Sequence, residues 1–250
     1  MQHQTYAPAW LTARPIAHRG LHDWRNGVVE NTLGAFAAAM AGNYAIECDL
    51  QITRDGEAVL FHDDTLERVK QAQGLVSEHT IEELKQLSFR HSSETIPTLA
   101  EMLALVSGKV PLVIELKPQW DGDMSLTRRT LDVLKSYSGP HCLMSFDPDV
   151  VEAVRKLSPG TVRGFISDDA SQAYYERLPV ALRRELRTLS CLARMAPHFI
   201  SIDIEEVPSA PIAELRRIGM PVITWTVRTQ EQRRIADRYT DQITFEGFRA

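Results

Sequence analysis

The chain has little cysteine: three residues, Cys48, Cys142 and Cys191, in 250. Three cysteines in apolar contexts cannot all pair internally, so a disulfide scaffold is excluded and reduced core thiols are expected. Positive charge is also scarce. With 28 Lys and Arg against 33 Asp and Glu, the net charge is −5, which argues against a general nucleic-acid binder. No apolar run approaches the roughly 18 residues of a membrane span. The opening MQHQTYAPAWLTARP lacks the basic start and continuous apolar core of a signal peptide. The expectation is a cytoplasmic protein without nucleic acid or stable membrane association, acting on a small polar or charged ligand. A homo-oligomer stays open.

What is present is ordinary for a globular chain, 44% apolar and 24% charged, and long enough for one large α/β domain. Strands are expected at 15–17, 45–52, 111–117, 141–146, 162–167, 198–203, 221–227 and 242–245. Between them lie helical patterns: Leu33, Phe36, Ala37 and Met40 at helical spacing with Gly42 as a C-cap, a helix opened by Pro97-Thr98 and ending near Gly108, then 125–137, 148–157, one or two helices in 172–195, 208–217 and 229–238. Alternation of this kind builds parallel βαβ units. One further run, AVLF from Ala58, follows the Asp55-Gly56 turn and is therefore antiparallel to its predecessor. Eight strand–helix units remain, the count of a (β/α)8 TIM barrel, with a small inserted subdomain at about 54–97 after the second strand. Residues 1–250 are read as a single barrel domain. In the insertion, Thr80 to Glu83 has capping-box spacing and 86–96 reads as loop.

The hairpin at 45–63, AIECDLQITRDGEAVLFHD, organises the rest. Glu47 and Asp49 are two apart on a strand, so they leave the same face about 7 Å apart. The return run carries His62 and Asp63 back towards them. Ile46, Cys48 and Leu50 bury the opposite face.

Barrel active sites form at the C-terminal ends of the strands. Those ends carry His18 and Arg19, Glu47 and Asp49, Glu115 and Lys117, Ser145-Phe146, Ser201 and Asp203, and Trp225. Glu115 and Lys117 are again two apart and share a face. Three carboxylates meeting at one mouth cannot all stay ionised without a positive partner, and a hard divalent cation, Mg²⁺ or Ca²⁺, satisfies oxygen ligands. A tight His pair or paired cysteines, as zinc would use, are missing. Arg19 and Lys117 supply positive charge for an anionic substrate, and the guanidinium fork matches phosphate oxygens. A phosphate ester is expected, with His18 and His62 exchanging protons near neutral pH. Trp225 suits either the core or a pocket wall. His22, His79, His91, His141 and His198 are read as surface or structural, His3 as part of a loose terminus, and Arg183, Arg184 and Arg187 as a solvated face.

The series HRG at 18–20, ENT at 30–32, E-x-D at 47–49, DG with FHDDTLER at 55–68, IPTLAEML at 96–103, IELKP at 114–118, SFDP at 145–148 and WTV at 225–227 resembles the glycerophosphodiester phosphodiesterases of the bacterial cytosolic type. The match runs through nearly the whole chain, strongest between 16 and 118. The resemblance implies a (β/α)8 barrel with an inserted subdomain that hydrolyses glycerophosphodiesters to glycerol 3-phosphate and an alcohol. It implies a divalent metal on Glu47, Asp49 and Glu115, an acid–base pair in His18 and His62, phosphate contacts from Arg19 and Lys117, and support of the first loop by Glu30 and Asn31. Phe146, Asp203 and Trp225 complete the expected pocket. The family's closing strand commonly ends in Thr-Asp, whereas here Thr244 is followed by Phe245, Glu246 and Gly247. Two rivals differ in class: a phospholipase C- or D-like enzyme on lysophospholipids or other lipid diesters, and a non-catalytic barrel that binds a phosphorylated metabolite.

Overall fold

The computed structural model describes residues 6–70, 72–90, 92–171 and 173–250; the readings of His3 and His91 fall outside them. In chain order the elements are β1 (Ile16–Ala17), α1 (Leu33–Ala41), β2 (Ala45–Ile52), β3 (Ala58–Leu60), α2 (Ile81–Gln86), α3 (Leu99–Val106), β4 (Leu112–Leu116), α4 (Ser125–Leu134), β5 (His141–Ser145), α5 (Pro148–Leu157), β6 (Val162–Ser167), α6 (Val180–Thr188), α7 (Leu192–Met195), β7 (Phe199–Asp203), α8 (Ala210–Arg217), β8 (Val222–Val227), α9 (Gln230–Tyr239) and β9 (Gln242–Phe245). Parallel pairing runs from β2 through β4 to β9, and β1 pairs with both β9 and β2, which closes the sheet. The result is an eight-stranded parallel (β/α)8 barrel. The short hairpin strand β3 lies outside it, antiparallel to β2 with Leu50 opposite Leu60, as the Asp55-Gly56 turn requires.

Alternation along each strand divides the core in two. Ile46, Cys48, Leu50, Ile114, Leu116, Ile200 and Ile202 face outward onto the helices. Ile16, Ala45, Val113, Cys142, Met144, Ile166, Phe199 and Ile223 fill the barrel interior, with Leu11 from a 3₁₀ turn at Ala9–Leu11 packed among them. All three cysteines are buried and free, so burial raises their thiols. The interior apolar residues reach up to Met144 and Ile166, which border the polar cavity at the C-terminal ends of the strands.

Local rules explain the helix starts. Thr80 with Glu83, Thr98 with Glu101 and Thr229 with Gln232 each form a reciprocal capping box, satisfying two otherwise orphaned N–H groups per helix. Helix α1 ends at Gly42 as C-cap, as expected, but not through a left-handed glycine. Gly42 has right-handed φ and the left-handed residue is Asn43, at φ 57°. A Cβ on Gly42 would lie 2.5 Å from the Tyr44 ring, so close packing rather than left-handed backbone selects the glycine. The one or two helices expected in 172–195 are α6 and the single turn α7, preceded by a 3₁₀ turn at Ala173–Arg177. Arg187 is not simply solvated; it donates to the carbonyls of Asp169 and Ala170 at 3.3 Å.

The polar segment after β3 builds its own small core from Val59, Phe61, Leu66, Val69, Val76, Leu84, Phe89 and Ile96, with Val29 of the first loop. Lys70 is fully buried within it. Its Nζ donates to the Leu87 carbonyl at 2.7 Å and stands 3.4 Å from the Phe89 ring centroid, a hydrogen bond and a cation–π contact that together hold an unpaired ammonium. Burial lowers Lys70 to about 8.

Two stability predictions arise here. Gly20, at φ 77°, has its Cβ position 2.8 Å from the Ala35 backbone carbon. Gly20→Ala therefore combines backbone strain with a clash against main chain and is expected to cost about 2–4 kcal/mol. Chemical denaturation checks this, and an unchanged midpoint would refute it. At the lower rim, His198 Nδ1 accepts from the Arg163 N–H at 3.1 Å, which requires neutral imidazole, and burial with the Arg163 charge lowers its pKa from 6.5 to about 4. Between those values the unfolded chain binds a proton that the folded chain does not, so this contribution to stability is present above 6.5 and lost as pH falls towards 4. Melting temperature against pH should slope less over that interval in His198→Gln; parallel slopes would remove His198 from the effect.

Candidate active site

The first barrel strand ends in a tight turn. Arg19 and Gly20 both have left-handed φ, 54° and 77°, and the turn points the Arg19 N–H at Glu47 Oε2, 2.8 Å away. A non-glycine residue held there costs energy, here offset by that bond and by the Asn31 N–H donating to the Arg19 carbonyl at 2.9 Å. Asn31 secures the second strand as well. Its Nδ2 donates to Asp49 Oδ2 at 2.8 Å, and its Oδ1 accepts from the Asp49 N–H at 3.2 Å.

Strands β2 and β4 pair in register with Asp49 beside Glu115. Glu47, Asp49 and Glu115 are all buried, and one oxygen from each lies within 4.8 Å of the others. Burial, reinforced by the charges of Asp49 and Glu115, pushes Glu47 well above the usual carboxylate range. Burial also raises Glu115, with Lys117 opposing. Burial disfavours ionised Asp49 too, but His62, Lys117 and Arg19 outweigh it and hold this carboxyl low. Lys117 Nζ stands 2.9 Å from Glu115 Oε1 and 3.6 Å from Asp49 Oδ1, and these charges keep it protonated against its burial.

Arg19 Nη1 donates to Glu30 Oε1 at 2.7 Å, while its buried Nε, 3.4 Å from Asp49 Oδ2, makes no hydrogen bond. Glu30 also receives both terminal nitrogens of Arg68, at 2.8 and 2.6 Å. Arg68 in turn reaches Asp63, whose Oδ1 is 2.6 Å from His62 Nδ1. One chain of charges thus runs from Arg19 to His62. His18 Nε2 is 4.0 Å from Glu47 Oε2, and His18 Nδ1 is 2.8 Å from Glu246 Oε2. Burial lowers His18 to about 4, with the Glu246 hydrogen bond opposing.

These groups open onto a cavity of about 580 Å³. Its lining includes His18, Arg19, Glu47, His62, Glu115 and Lys117 together with Phe146, Asp168, Asp203, Glu205, Trp225 and Arg228. Phe146 and Trp225 stack edge to face, centroids 5.5 Å apart, and Trp225 Nε1 donates to the Ser201 carbonyl at 3.2 Å. Glu30 and Asn31 support the site from behind, Asp49 sits beneath its floor, and Phe146, Asp203 and Trp225 form its wall. Arg68 and Glu246, to which the sequence reading gave no site role, prove to touch the expected residues, and Asp63, expected to return with His62, holds its ring. The signal for Glu246 was strand parity: counting from Thr244, the next inward position is 246, while Phe245 turns outward onto Tyr44, 4.9 Å between ring centroids.

The donor set fits a cation. Three acidic groups are buried together with more negative charge than Arg19 and Lys117 can compensate, and Glu47, which among the described residues accepts only the Arg19 N–H, is driven towards neutrality. Hard oxygen donors in that number suit Mg²⁺ or Ca²⁺.

Comparison with known proteins gives a consistent result. The model of the "Glycerophosphoryl diester phosphodiesterase family" matches residues 18–244. A glycerophosphodiester phosphodiesterase of Caldanaerobacter subterraneus is 31% identical over 226 residues, 86% of each chain. Among solved structures, an Oleispira antarctica phosphodiesterase in complex with the product sn-glycerol-3-phosphate superposes with a TM-score of 0.76 at 25% identity, over 92% of this chain and 91% of that one. A Thermotoga maritima glycerophosphodiester phosphodiesterase, 22% identical with a TM-score of 0.71 over 92% of both chains, shares the fold.

Proposed function

Since this chain belongs to the glycerophosphoryl diester phosphodiesterase family and is a phosphodiesterase, we propose that its barrel mouth hydrolyses glycerophosphodiesters to sn-glycerol 3-phosphate and an alcohol, using a divalent metal and two histidines. The observation that carries this reading is the buried trio Glu47, Asp49 and Glu115 within 4.8 Å, beside two cations and two imidazoles on one cavity. The product bound in the Oleispira antarctica relative supports the same substrate class.

Glu47, Asp49 and Glu115 would hold Mg²⁺ or Ca²⁺, which supplies polarisation of the phosphate and a more acidic nucleophile. Arg19 and Lys117 bind the phosphate oxygens. His18 is neutral at physiological pH because burial lowers it to about 4, so its Nε2 accepts the nucleophile's proton. His62, held by Asp63, gives a proton to the departing alcohol oxygen as the P–O bond breaks. Phe146 and Trp225 provide an apolar wall for the glycerol or head-group carbons.

We read residues 1–250 as one barrel domain with the insertion at 54–97, whose Arg68 helps to hold the site. Among the described residues, no helix is long and apolar enough to cross a membrane; a cytoplasmic location agrees with a small, water-borne substrate. The test is enzymatic release of sn-glycerol 3-phosphate from glycerophosphocholine and glycerophosphoethanolamine, with lysophosphatidylcholine vesicles in parallel. Release from the soluble diesters is expected. Turnover of the vesicles alone would replace this reading with the phospholipase one, and turnover of neither would favour the binding barrel.

A further inference from the structure

Glu246 has no part in the scheme above, yet its geometry is specific. One oxygen, Oε2, meets both His18 Nδ1 at 2.8 Å and Arg228 Nη2 at 2.9 Å. The carboxylate reaches this point because β9 runs beside β1, with Phe245 opposite Ala17 and the His18 N–H donating to the Phe245 carbonyl at 3.0 Å. Arg228 is anchored in turn, its N–H donating to Gln232 Oε1 at 2.9 Å in the first turn of α9.

A neutral imidazole has two tautomers, and its neighbours select between them. An ionised carboxylate can only accept, so the nitrogen facing Glu246 carries the hydrogen. The other nitrogen, Nε2, then has its lone pair free, and it points to the side of Glu47. With only 8% of His18 exposed, water has little access to substitute for the carboxylate. We propose that Glu246, itself fixed by Arg228, is a positioning residue that holds His18 in the Nδ1-protonated tautomer, with Nε2 presented to the reacting centre as proton acceptor. The proposal rests on the reading of His18 as a proton acceptor.

Two measurements separate the proposal from that reading. Long-range ¹H–¹⁵N spectra of the intact protein report the His18 tautomer without turnover: wild type should show protonated Nδ1 and bare Nε2, and Glu246→Ala a mixture or the reverse. An unchanged tautomer in that variant overturns the proposal. Steady-state kinetics on glycerophosphocholine should give Glu246→Ala a kcat about 10–10²-fold lower with KM within about twofold, and no further loss when it is combined with His18→Ala. Additive losses would mean that Glu246 acts through something other than His18, and also overturn it. Should Glu246→Ala fail to fold, Glu246→Gln keeps the shape while adding an amide that can donate to Nδ1, and the same tautomer shift is expected. If His18→Ala alone proves near wild type, the acid–base reading of His18 falls, while the spectra still decide what Glu246 does to the ring.

Discussion

His18→Ala is expected to lower kcat for glycerophosphodiester hydrolysis by about 10³-fold, within the 10²–10⁴-fold range of a positioned acid or base, while the protein stays folded. The ring lies against Glu47 and Glu246, and its removal leaves Glu246 paired with Arg228, so no buried charge is orphaned. His62→Ala should cost a similar factor for the second proton transfer. Its partner Asp63 keeps the Arg68 guanidinium, so again the loss is chemical rather than structural. The measurement is sn-glycerol 3-phosphate release under saturating substrate, with circular dichroism to establish the fold. A kcat within tenfold of wild type in either variant would remove that histidine from the reaction.

The second large effect concerns the metal. Dialysis against EDTA should abolish turnover, and return of Mg²⁺ or Ca²⁺ should restore it, the more effective ion naming the cofactor. Full activity after chelation would end the metal reading. Glu47→Gln separates a ligand from a structural acid because binding and stability should move in opposite directions. Burial with Asp49 and Glu115 already drives Glu47 towards its neutral form, which the amide mimics, so thermal stability without metal should hold or rise. Loss of an anionic donor should weaken Mg²⁺ or Ca²⁺ binding by at least about tenfold, a loss of 1.4 kcal/mol or more. Calorimetric affinity equal to wild type would take Glu47 out of the ligand set.

The parts of this site that follow the period of a strand were legible without coordinates. Glu47 with Asp49 and Glu115 with Lys117 are pairs two apart, and a two-residue period puts each pair on one face whatever the rest of the chain does. The Asp55-Gly56 turn determines that β3 runs back along β2, and hence that His62 returns to the same mouth. Helix starts were legible for the same local reason, since a cap and its N3 partner are three residues apart. The polar composition of the insertion, by contrast, concealed a small core around buried Lys70 and Phe89.

Tertiary structure alone decided who touches these residues. Glu246 and His18 are 228 positions apart, and they meet because the sheet closes, which sets the last strand against the first. Arg68 joins Asp63 to Glu30 because the insertion folds over the first loop, a docking that no period in either segment encodes. Local periodicity determines which face of an element a side chain leaves by. Which other side chain waits there depends on how the elements pack, and in a closed barrel that is settled only when its two edges pair.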